Sequence, residues 1–204
     1  NIDRLFPSRR VAAGDTPRPL AEKPVDLEAK VSMRIGDKVY DLYDFLALDN
    51  VTGMIVLDDG AVVYETYQRG NTPATRWMSM SVAKSVTSTL VGAAIADGFI
   101  DGLDAMVVDY VPALEGSAYD GVSVRDVLMM ASGVQWNETY TDPGSDRRDL
   151  LRAQIAQEPG AAMAVMAALP RAAEPGTLHN YSTGETQVLG EVVHCHELSP
   201  QSGY

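Results

Sequence analysis

Ser81 and Lys84 stand three residues apart in the segment Trp-Met-Ser-Met-Ser-Val-Ala-Lys-Ser, where a long uncharged run begins. A helix has about 3.6 residues per turn, so a helix starting here places both side chains on nearly the same face. A serine hydroxyl is a weak nucleophile that needs an adjacent base, and a partly desolvated lysine can serve. The pair predicts a serine acyl-transfer enzyme. The alternative is a lysine that reaches water from the end of the helix.

Tyr181 lies in a second polar segment, His179 to Glu185, just after the turn signal Pro175-Gly176. A phenol on a loop that runs into a helix is well placed to move protons. Beside a lysine cation its pKa falls, which makes the phenolate more accessible as a base. The alternative, an ordinary half-buried tyrosine, is favoured for any tyrosine taken alone. Together with Ser81 and Lys84, the segment instead indicates a catalytic phenol.

Four segments taken together resemble the beta-lactamase-related serine hydrolases, and most closely the branch similar to 6-aminohexanoate-dimer hydrolase. They are Ser-Met-Ser-Val-Ala-Lys-Ser, Asp-Tyr-Val-Pro-Ala-Leu-Glu-Gly-Ser-Ala-Tyr, Val-Arg-Asp-Val-Leu-Met-Met-Ala-Ser-Gly-Val and Asn-Tyr-Ser-Thr-Gly-Glu-Thr-Gln-Val-Leu-Gly. The resemblance runs from about Asp3 to Val193. It implies an α+β fold of the beta-lactamase/transpeptidase type, with an antiparallel sheet flanked by helices and a helical subdomain.

The resemblance also implies roles for individual residues. Ser81 would be the acylated nucleophile, Lys84 its proton acceptor and Tyr181 the general acid/base for the leaving group. The backbone N–H of Ser81 would supply half of an oxyanion hole. Tyr140 matches a loop tyrosine that touches substrate in the amide-hydrolysing members, although it could equally be a loop anchor packed on Trp136.

The second motif departs from the lactamase pattern. Lactamases usually have Tyr-x-Asn, whereas this chain has Tyr181-Ser182-Thr183. Thr183, the matching substrate-binding position, offers a hydroxyl where asparagine offers an amide. We therefore expect an esterase or a linear amidase rather than a beta-lactam hydrolase.

A third family motif, Lys-Thr-Gly or a variant on a later strand, has no match in the 204 residues. The sheet is therefore expected to be incomplete in this chain. An open sheet edge invites pairing, so we expect a complementary C-terminal segment or a second chain as partner. Two alternatives stay open: a non-catalytic or inactive truncated member that acts as a binding module, and a D-amino-acid-specific peptidase or esterase.

The pattern of apolar and turn residues divides the chain into two predicted parts. Residues 1–75 would form an N-terminal arm and the first strands, and residues 76–204 a helical part. The signal Asp58-Asp59-Gly60 predicts a hairpin between strands 52–57 and 61–67, with Met54, Val56, Val62 and Tyr64 on its buried face. The other predicted elements are a single strand 34–40 and helices 41–48, 81–98, 124–132, 149–168 (interrupted at Pro159-Gly160) and 185–193.

Composition excludes several function classes. A formal charge of −12 argues against nucleic acid and anionic membrane surfaces, and no apolar run is long enough to span a bilayer. Cys195 is the single cysteine, so no internal disulfide is expected. The location would be periplasmic or secreted if a signal peptide was removed, and cytoplasmic otherwise. No cofactor is expected.

Two groups of residues are weaker candidates for a metal site. One is the run His194-Cys195-His196-Glu197. The other is the acidic set Asp142, Asp146 and Asp149, but we expect these three carboxylates to pair with Arg147, Arg148 and Arg152 instead.

Overall fold

The structure is a computed structural model that describes residues 10–12 and 14–197, without the side chains of Cys195, His196 and Glu197. The backbone forms two compact units that divide between Met78 and Ser79. Unit 1 contains, in chain order, β1 (Ala21–Glu22), β2 (Ser32–Ile35), β3 (Lys38–Asp41), α1 (Leu42–Leu48), β4 (Gly53–Asp58) and β5 (Ala61–Tyr67).

The larger sheet of unit 1 has the strand order β1-β5-β4. β4 and β5 form the antiparallel hairpin predicted around Asp59-Gly60, where both residues have positive φ, 45° and 73°. These left-handed values suit a two-residue turn whose twist matches the strands. β1 is a short parallel addition with Ala21 opposite Ala61. It comes from the segment that the sequence predicts only as an extended arm, of which residues 1–9 and 13 lie outside the described residues.

The buried face of this hairpin differs from the prediction. Ala61 and Val63 are the buried residues of β5, at 2% and 7% exposure, whereas Val62 and Tyr64 are only half-buried. On β4 the prediction holds in part, because Met54 and Val56 are more buried than their neighbours. Along the first half of β5, buried residues on one face therefore alternate with half-buried residues on the other.

The predicted strand 34–40 is in fact two strands. β2 and β3 pair antiparallel with Ile35 opposite Lys38, and Gly36 at φ 59° makes the tight turn between them. α1 follows as expected, and its start is fixed by a reciprocal cap. The Asp41 side chain accepts from the backbone N–H of Asp44, and the Asp44 side chain accepts from the N–H of Asp41.

Unit 2 is helical and contains the predicted site. Its elements are α2 (Val82–Ala96), α3 (Val107–Tyr110), a 3-10 turn (Pro112–Leu114), α4 (Val124–Leu128), α5 (Asp146–Ala156), α6 (Ala161–Ala167) and α7 (Thr183–Glu197). α4 ends four residues earlier than predicted, because Met130 adopts a left-handed φ of 52° that a helix cannot continue. α5 and α6 replace the predicted interrupted helix 149–168, with the break close to the expected Pro159-Gly160.

The core of unit 2 forms around α7. Val188 and Val192 are fully buried and face the other helices, including Val91 of α2 and Val127 of α4. Burial of one such side chain contributes about 1.5–3 kcal/mol. α7 is therefore held firmly against α2, the helix that follows Ser81.

One face of α2 is exposed, although an uncharged run of this length is typical of a buried helix. Val91 is its buried residue, while Val82, Val86 and Leu90, spaced four residues apart, are each more than half exposed. The helix is therefore apolar on two sides, and the described residues of the chain leave one of them open to solvent.

Candidate active site

Ser81 occupies the N-cap position of α2, the point where the chain enters the helix. N-cap serines usually bond the first helical N–H groups, but the Ser81 hydroxyl makes no such bond. Its backbone N–H has no acceptor within residues 10–12 and 14–197. The preceding residue, Met80, has a φ of 48°, a left-handed value that costs a residue with a Cβ about 1–2 kcal/mol. The turn into α2 thus leaves the Ser81 hydroxyl and the Ser81 backbone N–H free of the hydrogen bonds that a helix start usually makes.

Lys84 lies one helical turn beyond Ser81. Its Nζ donates a hydrogen bond of 3.0 Å to Ser81 Oγ. The lysine side chain is half-buried, so its ammonium is only partly surrounded by water. The spacing of three residues produces this contact as the sequence predicts.

Tyr181 completes the cluster from the segment just before α7. Its hydroxyl donates a 2.9 Å hydrogen bond to Ser81 Oγ across a separation of 100 residues. The hydrogen bond with Ser81 and the adjacent Lys84 cation lower the pKa of the Tyr181 phenol below its usual value. Burial and the nearby Glu138 carboxylate act in the opposite direction without reversing the shift.

The residues flanking Tyr181 fix its backbone. Asn180 donates its N–H to the Met130 carbonyl at 2.8 Å and its side-chain amide to the Trp136 carbonyl at 3.0 Å. On the other side, the buried Ser182 hydroxyl accepts from the N–H of Glu185 at 3.1 Å. The phenol therefore extends from a segment that is bonded on both sides.

Tyr140 and Thr183, the two predicted substrate contacts, meet at a residue that the sequence analysis does not identify. Glu138 accepts hydrogen bonds from the Thr183 hydroxyl at 2.5 Å and from the Tyr140 hydroxyl at 2.8 Å. It also accepts from the Thr183 N–H at 2.9 Å and from the indole N–H of Trp136. Burial alone would raise the pKa of the Glu138 carboxyl, but these four donors together hold it below its usual value.

The geometry gives Tyr140 and Thr183 different positions relative to solvent. Tyr140 is 54% exposed, and the guanidinium of Arg147 lies 5.4 Å from the centroid of its ring. Thr183 is half-buried at the start of α7, with its hydroxyl proton directed to Glu138. Their substrate-binding roles stay predictions. The sequence signal that could have identified Glu138 is the alternation Trp136-x-Glu138-x-Tyr140, which in an extended loop places three polar groups on one side.

A second unpredicted residue, Glu185, is buried below the site. Only 4% of it is exposed, and its Oε1 accepts from the buried Ser132 hydroxyl. Its Oε2 and the Tyr119 hydroxyl are buried and have no hydrogen-bond partner in the described part of the chain. Burial raises the pKa of Glu185 to about 7.

The two weaker metal candidates differ in what the structure describes. Among the described side chains, no three His, Cys, Asp or Glu groups lie close enough to hold an ion. Asp149 pairs with Arg152 as expected, but Asp142 and Asp146 instead accept backbone N–H groups of their own loop. The side chains at 195–197, which complete the other candidate, lie outside the described residues.

None of the helices in the described part of the chain has both the length and the apolar character needed to span a bilayer.

Comparisons with known proteins identify the family and the fold of the chain. Residues 49–196 match the family model described as Beta-lactamase. The chain is 38% identical over 145 residues to the 6-aminohexanoate-dimer hydrolase of Paenarthrobacter ureafaciens, a match that spans 71% of this chain and 35% of the relative.

Two solved structures show the same fold. A Bacillus anthracis protein, provisionally described as a 6-aminohexanoate-dimer hydrolase, superimposes with a TM-score of 0.71 at 19% identity, covering 88% of this chain and 48% of that one. A class C beta-lactamase in complex with cefoxitin gives a TM-score of 0.58 at 26% identity, covering 76% and 42%. The predicted beta-lactamase/transpeptidase-like α+β fold is thus confirmed. The chain spans about a third of the curated relative and less than half of these structures.

Proposed function

Because this chain belongs to the beta-lactamase family, we propose that it is the nucleophile-bearing part of a serine hydrolase that cleaves a short amide or ester. The observation that supports this best is the double hydrogen bond to one atom. Ser81 Oγ accepts from both Lys84 Nζ and the Tyr181 hydroxyl. A hydroxyl approached by two groups that exchange protons is suited to nucleophilic attack.

The proposed reaction forms an acyl-enzyme on Ser81. For this step Lys84 must first have given a proton to solvent; Ser81 Oγ then attacks the carbonyl carbon while its own proton passes to the neutral Lys84 amine. Tyr181 then gives its phenolic proton to the leaving nitrogen or oxygen as the bond to the carbonyl carbon breaks. In the second half, Tyr181 takes a proton from water, the water oxygen attacks the acyl carbon, and Ser81 Oγ leaves with the proton that Lys84 took up in the first half.

The charge on the carbonyl oxygen also needs stabilisation. The Ser81 N–H has no partner within the described residues and stands at the N-terminus of a helix of 15 residues. We assign it as one oxyanion donor. The second donor would come from the complementary segment described below.

A linear amide or ester fits this site better than a beta-lactam. At position 183, where lactamases present an asparagine amide, the Thr183 hydroxyl donates to Glu138. The relative from Paenarthrobacter ureafaciens is named for a linear amide, the 6-aminohexanoate dimer. Tyr140, largely exposed beside the site, is the side chain that we assign to contact the substrate.

A complementary C-terminal segment or second chain is part of this proposal. β4 is the edge strand of its sheet, and Ile55 and Leu57 on it are each about half exposed. α2 presents the open apolar residues Val82, Val86 and Leu90. Unpaired strand edges and apolar faces of this kind are sites of association.

Labelling of Ser81 tests the proposal. The wild-type chain, alone and with the complementary segment, is treated with a fluorophosphonate and assayed with p-nitrophenyl butyrate. We expect labelling that Ser81→Ala abolishes while far-UV circular dichroism stays unchanged. Labelling that survives this change would remove Ser81 from the mechanism. A folded wild type that neither reacts nor turns over ester in either preparation would instead support a non-catalytic binding module.

A further inference from the structure

Glu138 has no role in the reaction described above, yet it joins two parts of the site. Each carboxylate oxygen accepts two hydrogen bonds: Oε1 from the hydroxyls of Thr183 and Tyr140, and Oε2 from the Thr183 N–H and the Trp136 indole. A carboxylate has about four acceptor positions, so this one is fully occupied. Glu138 is therefore unsuited to act as a base or to bind substrate directly.

The four donors come from two separate segments. Trp136 and Tyr140 flank Glu138 on one loop, whereas Thr183 is the first residue of α7 and stands two residues after Tyr181. An ionised carboxylate at a helix N-terminus is also favoured by the helix dipole. Glu138 thus ties the loop that presents Tyr140 to the segment that presents Tyr181.

Its charge acts on the same phenol. The negative charge of Glu138 raises the pKa of Tyr181, while the Ser81 hydrogen bond and the Lys84 cation lower it. Removing the charge leaves the lowering influences less opposed, so Tyr181 would lose its proton at lower pH.

We propose, on the basis of the proposed function, that Glu138 is a positioning residue: through Thr183 it holds Tyr181 against Ser81, and through its own loop it fixes the Tyr140 hydroxyl beside that phenol. An error of about 1 Å in the placement of a reacting group can lower the rate about 100-fold. Glu138 is thus essential to the rate although it touches no reacting atom.

The test compares Glu138→Gln and Glu138→Asp in the full chain with its complementary segment. Glutamine removes the charge and two acceptor positions, so kcat for p-nitrophenyl butyrate falls about 10- to 100-fold and the pH limb that belongs to Tyr181 moves to lower pH. Aspartate keeps the charge but shortens the side chain, so kcat falls while the pH limb stays in place. A purely structural residue would not separate the two variants in this way.

Two further variants keep the result clear. Asp142→Asn is the control. The Asp142 carboxylate lies on the same loop as Glu138, but it accepts hydrogen bonds from Asn137 and Gly144 and not from Thr183 or Tyr140. We therefore expect the pH limb of Tyr181 to stay in place. Thr183→Val removes a single hydrogen bond to Glu138 with little change of shape, and should lower kcat less than Glu138→Gln does. If Glu138→Gln fails to fold, the proposal is tested by Thr183→Val and Glu138→Asp. A lower kcat in both variants supports it, and an unchanged kcat in both overturns it.

The outcomes for Glu138 and for the proposed function are distinguishable. An active wild type with a Glu138→Gln variant of unchanged kcat and unchanged pH limb would overturn the role of Glu138 alone. A wild type that neither labels nor turns over ester would overturn both. Fluorescence of Trp136, measured with Trp77→Phe so that one indole remains, reports independently on whether the Glu138 contact forms.

Discussion

The Nζ atom of Lys84 lies 5.2 Å from the centroid of the Tyr181 ring, and both side chains donate a hydrogen bond to Ser81 Oγ. This distance is within the range of a cation–π contact. The ammonium therefore stabilises the phenol ring and, more strongly, the phenolate that forms when Tyr181 loses its proton. The acidity of the Tyr181 phenol therefore depends on Ser81 and Lys84 as well as on the phenol itself.

The Tyr181 pKa should respond to both neighbours. The Ser81 hydrogen bond lowers it, and Lys84 lowers it further through a hydrogen bond and through its charge. We expect both Ser81→Ala and Lys84→Met to raise the Tyr181 pKa, because each removes an influence that lowers it. The measurement is NMR titration of ¹³C-labelled tyrosine, with the Tyr181 signal assigned from its loss in Tyr181→Phe. An unchanged titration in both variants would contradict the shared hydrogen-bond network.

Glu185 should make the protein less stable as the pH rises. Its pKa is raised from 4.5 to about 7 in the folded chain by burial. Between these values the folded state keeps a proton that the unfolded state has lost. The free energy of unfolding therefore falls by on the order of 3 kcal/mol across this window and is highest below pH 4.5 as far as this group is concerned.

Glu185→Gln tests this pH dependence. Glutamine still accepts from Ser132 and does not ionise, so the variant should lack this fall and be more stable than wild type above pH 7. Asp126, which also raises the Glu185 pKa, and Tyr119 stay in place. Urea unfolding at pH 4.5, 6 and 8 provides the comparison, with the exposed Glu174→Gln as matched control. If the free energy of unfolding changes with pH by the same amount in wild type and in Glu185→Gln, the raised pKa of Glu185 is disproved.

Gly184 and Gly190 offer a matched pair on α7. A Cβ at Gly184 would lie 2.4 Å from Met166 Cε and 2.9 Å from Trp136 Cζ3, both in the core, whereas a Cβ at Gly190 meets nothing within 4 Å. We expect Gly184→Ala to destabilise the chain by about 1–3 kcal/mol. Gly190→Ala should be neutral or stabilise by up to about 1 kcal/mol, because alanine favours helix. Chemical unfolding monitored by circular dichroism measures both changes in the free energy of unfolding. Equal changes for the two substitutions would contradict the close contacts of Gly184 with Met166 and Trp136.

Gly133 and Gly116 separate steric contact from backbone strain. Their φ values are nearly equal, 76° and 74°, so the cost of a left-handed alanine is the same at both. A Cβ at Gly133 would lie 2.1 Å from the Ala173 carbonyl oxygen, but at Gly116 it meets open space. Gly116→Ala should cost about 1–2 kcal/mol and Gly133→Ala at least about 2 kcal/mol more. The difference in thermal midpoint measures the contact alone, and a difference near zero would exclude it.

Local patterns predicted those parts of the chain whose structure depends on near neighbours. The contact between Ser81 and Lys84 follows from helical spacing, and the β4–β5 turn from Asp59-Gly60. The strand predicted over 34–40 was wrong because Gly36 reverses the chain inside it. These successes and this failure concern contacts within a few residues.

Contacts between distant segments were harder to predict. Tyr181 was identified from the polar segment after Pro175-Gly176 and from resemblance to a family, but no local pattern relates it to a residue 100 positions earlier. Glu138 and Glu185 were missed because their properties come from tertiary neighbours: donors that converge on one carboxylate, and apolar packing that excludes water from the other. The catalytic roles of Ser81, Lys84 and Tyr181 stay predictions that the experiments above address.

If Ser81 is acylated as proposed, the separation between Ser81 and Tyr181 also decides at which stage of folding that reaction can begin. During synthesis Ser81 leaves the ribosome about a hundred residues before its phenol partner, and closing so long a loop costs entropy that only the docking of α7 against α2 repays. A partly made or partly unfolded chain therefore lacks the hydrogen bond between Tyr181 and Ser81. Acylation of Ser81 would then report that folding is complete, because it would begin only after the segments that carry Ser81 and Tyr181 have come together.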